Sequence, residues 1–244
     1  MKKFFLSLAV LIIASVHIVW AQKVLIYKSD GTTIEYEVST LDSMVFVKEK
    51  QTMPSHLTCP DDHHPHAIDL GLPSGTKWCC CNVGASKPEE YGGYYAWGET
   101  KEKGFYNWET YAYGTWDKCV NIGSDIAGTD YDAATANMGA PWRMPSTAQL
   151  QELINNSSSQ WQWQNSVDGI LVTGPNGGHI FLPAAGVRWP DDDLYSVGYG
   201  GSYWASSLYP NNSNYADYMV FYLSNWFLDH FYRFCGHSVR AVCP

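Results

Sequence analysis

Cysteine and histidine are the residues of this chain with the widest chemical range, and seven cysteines occur, at 59, 79, 80, 81, 119, 235 and 243. The run Cys59-Pro60-Asp61-Asp62-His63-His64-Pro65-His66 places three imidazoles and two carboxylates in a short stretch, a donor set that suits zinc, copper or nickel. Pro60 and Pro65, however, stop a regular helix or strand from presenting these donors on one face. The run therefore reads as a solvated linker, with no metal site assigned. Cys79-Cys80-Cys81 is not a simple metal knuckle, because neighbouring residues on a strand point to opposite faces. An odd cysteine count leaves at least one thiol free or paired between molecules.

Signals for enzyme chemistry are weak. Neither Gly-x-Ser-x-Gly nor His-Glu-x-x-His occurs. Asp191-Asp192-Asp193 follows Trp189-Pro190 as a loop tip and lacks the spacing of a calcium loop. Cys235 lies two residues from His237, where an activated thiolate is conceivable, but a substituted surface position is the plainer account. The expectation is a protein that is not an enzyme and carries no cofactor.

A different chemistry is concentrated between residues 208 and 236. Tyr, Phe, Trp, Asn, Asp, His and Ser alternate at close spacing, and Asn225, Asp229, His230 and Arg233 are too polar for a continuous core stretch. Tyr and Trp give contact area at low entropy cost, while Asn and Ser supply adaptable hydrogen bonds. Tyr209, Asn211, Asn212, Asn214, Tyr215, Tyr222, Asn225, Trp226, Asp229, His230, Tyr232 and Phe234 are the expected ligand-contacting residues. The strand spacing of Tyr218, Val220 and Tyr222 also fits a core-filling strand, and in the mixed reading the binding face lies mainly beyond Leu223 in a loop-rich region.

Several elements must position these groups. Lys23 to Lys28 and Thr32 to Val38 are β-prone runs around Asp30-Gly31, a two-residue hairpin signal, with a third run at Met44 to Val47. One helix is evident: Ser146-Thr147-Ala148-Gln149 is a capping box, and Leu150, Leu153 and Ile154 follow on one face. Ile170 to Thr173 and His179 to Leu182 flank Gly174-Pro175-Asn176-Gly177-Gly178 as a hairpin. Further strand-like runs cover Tyr203 to Ser207, Tyr218 to Leu223 and Ser238 to Val242. The pattern is α+β, with irregular antiparallel sheets and few helices.

The first residues set the compartment. Lys2 and Lys3, an apolar run from Phe4 to Trp20, and Val19 and Ala21 before Gln22 read as a signal peptide over 1–21. An exported chain permits disulfides. Loss of Lys2 and Lys3 takes the formal charge from −9 to −11, which disfavours nucleic acid as a partner. No later stretch is apolar enough for a transmembrane segment in the mature chain. The remaining organisation is a small β unit over 22–48, a linker over 49–66 and a main domain over 67–244.

Six blocks of that main domain are distinctive. They are Ile68-Asp69-Leu70-Gly71-Leu72-Pro73-Ser74-Gly75-Thr76-Lys77-Trp78 with Cys81-Asn82-Val83-Gly84-Ala85, Glu89 to Glu99 (EEYGGYYAWGE), Trp142-Arg143-Met144-Pro145, Phe181-Leu182-Pro183-Ala184-Ala185-Gly186, Gly201 to Ser207 (GSYWASS), and Ser238 to Pro244 (SVRAVCP). In this order they closely resemble the Fibrobacter succinogenes major paralogous domain of exported bacterial proteins. The resemblance implies a C-type-lectin-like fold, akin to that of formylglycine-generating enzymes, in which the first and last strands lie side by side. It also implies a Cys81–Cys243 disulfide. The paired cysteine motif of the enzymes is absent, as are the Glu-Pro-Asn or Gln-Pro-Asp and Trp-Asn-Asp motifs of calcium-dependent lectins. The C-terminal segment resembles the variable region of proteins diversified by retroelements on the same fold. The function implied is recognition or adhesion at the cell surface or outside it, with an extracellular protein or glycan as partner. A structural fimbrial or matrix subunit is the alternative.

Overall fold

The computed structural model describes residues 23–27, 32–37, 58–190, 194–223 and 225–244. The expected signal peptide, the Asp30-Gly31 turn, the third β-prone run, residues 49–57 of the linker and the Asp191–Asp193 triplet lie outside them. The chain divides into two compact units, residues 1–51 and 52–244.

In the first unit, β1 (Lys23–Tyr27) and β2 (Thr33–Glu37) form the expected antiparallel hairpin, with Lys23 opposite Glu37 and Tyr27 opposite Thr33. Their β-branched and aromatic residues favour the pleated backbone. An exposed ion pair joins Lys23 to Glu35 across the ladder.

In the second unit the elements follow as β3 (Ala67–Asp69), β4 (Lys77–Asn82), α1 (Ala133–Met138), α2 (Thr147–Asn156), β5 (Ser158–Gln164), β6 (Val167–Thr173), β7 (His179–Pro183), β8 (Val187–Arg188), β9 (Leu194–Tyr195), β10 (Gly200–Leu208), β11 (Tyr215–Tyr222), β12 (Asn225–Tyr232) and β13 (Arg240–Cys243). They make three three-stranded antiparallel sheets, ordered β13-β4-β3, β5-β6-β7 and β10-β11-β12, and the small β8-β9 pair. The predicted hairpin is β6-β7, and the predicted helix is α2, whose capping box is complete: the Ser146 side chain accepts from Gln149 N, and Gln149 reaches back to Ser146 N. Helix α1 escapes sequence reading because six residues are too short for a periodic signal. Its N-cap, the fully buried Asp132, accepts from the backbone N–H groups of Ala134, Thr135, Gly128 and Met144.

Aromatic side chains fill the core, as the composition suggests. Trp78, Trp97 and Trp204 are wholly buried. The indole N–H of Trp97 donates to Ala205 O at 3.0 Å, and that of Trp204 to Tyr95 O at 2.7 Å, so a polar atom enters the core with its partner. Gly186 holds a φ of 67° at the turn after β7, and a Cβ there would run into the Tyr195 carbonyl.

The strand expected around Trp78 to Val83 is β4, the second of the unit, and it does pair with the last strand, β13. The expected Cys81–Cys243 disulfide is not formed, and both residues are free thiols. Register is the reason. Cys243 stands opposite Lys77, and Asn82, next to Cys81, stands opposite Arg240, three residues or about 10 Å along β13 from Cys243, whereas a disulfide needs Cα atoms about 4.4–6.8 Å apart. The ladder is also irregular: two steps on β13, Arg240 to Val242, face four on β4, Asn82 to Trp78. The three consecutive cysteines sit in the resulting bulge.

Candidate ligand-binding face

The region from 225 to 232, expected as loop, is strand β12, the outer strand of its sheet. Alternation explains the interleaving of polar and apolar residues there. Asn225, Phe227 and Asp229 are exposed, while Trp226 and Leu228 lean on the core. Trp226 therefore belongs to the packing rather than to an open surface. Tyr218 and Val220 are buried as the spacing of β11 implied, while Tyr222 at its end is exposed.

The expected residues separate into two groups. Tyr222 and Asn225 pair at the hairpin tip, beside exposed Leu223 and Phe227. At the opposite end Tyr215 pairs with Tyr232. Seven residue steps along β12 take Asn225 to Tyr232, about 23 Å, so one small ligand does not span both.

The second group forms a continuous run of rings. Tyr209 stacks on His230 at 3.8 Å between centroids, with planes 7° apart. His230 meets Tyr215 edge-on at 5.3 Å, and Tyr215 stacks on Tyr232 at 4.6 Å. Tyr232 stacks on Phe234 at 5.5 Å, but Phe234, expected to contact ligand, is buried in a second core cluster and packs there instead. Cross-strand pairing and the two-residue repeat put these rings on one face. A hydrogen bond to Tyr232, ahead of burial, pushes the Tyr215 phenol up to about 12, so its hydroxyl stays protonated at neutral pH.

Three tryptophans meet these rings, Trp108 and Trp189 half-buried against a core cluster and Trp116 at the surface, and sequence reasoning missed them. Trp108 lies 4.8 Å from Phe234, Trp116 lies 5.7 Å from Tyr232, and Trp189 lies 5.0 Å from Phe231. Trp116 is 58% exposed. They come from loops remote in sequence, and only the count of 11 tryptophans hinted at them.

The asparagines mainly shape the approach to these rings. Asn212 Oδ1 accepts from Asn214 N, Asn214 Nδ2 donates to Trp116 O at 2.9 Å, and Asn211 Nδ2 donates to the Tyr209 hydroxyl at 3.2 Å. Exposed Asp229 accepts from His230 N through Oδ1.

Beside this face lies a cavity of about 510 Å³, lined by Cys119, Val120, Asn121, Leu208, Ser213 and Arg233 among others. Arg233 is 1% exposed. Its Nη1 donates to Val120 O and Ser213 O, and its guanidinium lies over Trp97 at 4.7 Å. Its Nε and Nη2 have no hydrogen-bond partner.

The Cys235 and His237 pair does not make an activated nucleophile. Burial pushes the Cys235 thiol up, and burial lowers His237 to about 3. The His237 ring stacks on Trp204 at 4.0 Å, and neither ring nitrogen has a partner. Among the described residues, a group able to hold a metal lies elsewhere, at Cys59, His64, His66 and Cys80.

Comparisons of the chain with protein-family models, with curated proteins and with solved structures found no match. What the fold defines is a mainly antiparallel β protein with two helices among the described residues. No helix among those residues is long and apolar enough to cross a membrane.

Proposed function

We propose that this chain is an exported recognition protein, displayed at the cell surface or secreted, with a C-type-lectin-like domain that resembles the Fibrobacter succinogenes major paralogous domain. Its ligand is a glycan or a protein surface. The observation that carries this reading is the ring surface formed by Tyr209, His230, Tyr215, Tyr232 and Trp116, next to the cavity lined by Arg233. Aromatic rings of this kind accept the apolar face of a sugar or an apolar side chain, and the polar rim fixes orientation.

Glycan and protein arrays probed with the purified chain test the proposal. A Trp116→Ala/Tyr232→Ala variant is expected to bind at least ~10-fold more weakly, the size of a lost hot spot. A Tyr222→Ala/Phe227→Ala variant, altered at the hairpin tip, is expected to bind like the parent. Equal binding by the parent and the first variant would sink the assignment, and loss confined to the tip variant would move the site there.

A further inference from the structure

The short segment from Cys59 to His66 does not behave as a free linker. Cys59 packs against the main core, and Cys80 N donates to His66 O at 3.0 Å, continuing the β3-β4 ladder by one residue. The two prolines that exclude regular structure let the chain turn back on β4, so donors close in sequence converge on one more distant thiol. Cys59, His64, His66 and Cys80 each offer one ligand atom, and the four atoms lie within 4.8 Å of one another.

The geometry is that of a tetrahedral site. His64 Nδ1 lies 3.3 Å and His66 Nδ1 3.9 Å from Cys80 Sγ. With metal–sulfur and metal–nitrogen bonds of about 2.3 and 2.05 Å, a tetrahedron has sulfur–nitrogen edges of about 3.6 Å. The two distances bracket that value. The two imidazoles stand nearly perpendicular, at 84°, so both can direct a ring nitrogen to a common centre.

The surroundings also fit. Asp61 Oδ1 lies 3.2 Å from His66 Nε2, and the same oxygen accepts from His63 N at 2.8 Å. A carboxylate on the far ring nitrogen fixes the tautomer that leaves Nδ1 free to ligate. The backbone N–H of His66 donates to Cys80 Sγ at 3.0 Å, which supports a thiolate there. Cys80 is buried and the other three are half-buried.

We propose that Cys59, His64, His66 and Cys80 form a structural zinc(II) site that fastens residues 59–66 to β4. Two thiols lose their protons to solvent as one zinc ion binds, and with two neutral imidazoles the centre carries no net charge, which suits its burial. Four protein ligands leave no open position, so the site holds structure rather than activating water. Cys79 and Cys81 flank Cys80 without joining the set.

The test uses the full chain, purified with reductant, stripped with a chelator and titrated with cobalt(II) and then zinc(II). One cobalt per chain is expected, with tetrahedral visible bands and thiolate-to-cobalt absorption that one equivalent of zinc abolishes. Cys59→Ser and His64→Ala should lose these bands, whereas Cys119→Ser should keep them. Asp61→Asn should weaken zinc binding by about 10–100-fold. Near-UV circular dichroism shows whether each variant is folded, and half-buried His64 gives a second variant if Cys59→Ser is not. Absence of the bands in folded parent chain overturns the proposal, as does their persistence in both ligand variants. A Cys59–Cys80 disulfide in chain isolated with zinc present overturns it as well.

Discussion

Arg240 is fully buried, and its partners are oxygens of neutral groups. Its Nη1 donates to Cys79 O and Cys80 O at 3.0 and 2.9 Å, its Nη2 to Phe181 O at 2.8 Å and its Nε to Asn82 Oδ1 at 2.9 Å. The guanidinium thus satisfies the carbonyls that the β4 bulge removes from the ladder. Arg240→Met should cost at least ~3 kcal/mol in urea unfolding, because several buried acceptors lose their donors together. Arg240→Lys should recover little of this, since an ammonium lacks the planar fork. His237 makes a different contribution. Trp204, Tyr218 and Phe231 enclose its ring, and burial lowers its pKa from 6.5 to about 3. The unfolded chain therefore binds a proton that the folded chain refuses, so stability is full above pH 6.5 and falls as pH drops towards 3. The loss amounts to at most ~5 kcal/mol. Unfolding curves at pH 7.5, 5.5 and 4.5 should show it, and His237→Phe should flatten the slope in that window.

At the scale of elements, α2 starts from a local signal and holds the hairpin in place. Thr147 Oγ1 donates to Asp217 Oδ2 at 2.7 Å, linking its first turn to β11. Ser146→Ala should lower stability by ~1 kcal/mol, the usual cost of losing an N-cap, measured as a shift in the urea midpoint with unchanged slope. This helix was legible because Ser146, Gln149, Leu150 and Leu153 act within two turns. Strand β12 was not legible as a strand. Its polar residues suggested a loop, but a one-sided edge strand alternates in the same way, and exposed Asn225 and Asp229 discourage pairing with another chain.

On the scale of the second unit, the strands that close the fold lie far apart in the chain. β4 is central to a sheet whose other strands are β3 and β13, and the β4–β13 ladder joins residues about 160 positions apart. Such a ladder forms late and its loss is not compensated locally. A chain ending at Val239 should lack near-UV circular dichroism, while the full chain shows it strongly, because every residue of β13 is buried. The family resemblance anticipated this pairing, but the Cys81–Cys243 bond it implied is absent and both thiols are free. The pairing of strands follows from the order of the sequence blocks, whereas the match of individual residues depends on a bulge that no local pattern announces.

The sequence by itself determined what depends on near neighbours: the β1-β2 and β6-β7 hairpins, the capped helix, and the aromatic and polar character of residues 209–234. Tertiary structure decided what depends on distant ones. It split the expected binding residues between two ends of a hairpin, turned Trp226 towards the core, buried Phe234, added Trp116 to the candidate face and set Arg233 in the wall of the cavity beside it. It also gave Cys59, His64 and His66 a fourth partner in Cys80. The physical reason is common to all of these. Propensity, capping and alternation act over a few residues, whereas register, bulges and the meeting of loops are set by burial of surfaces contributed by the whole unit.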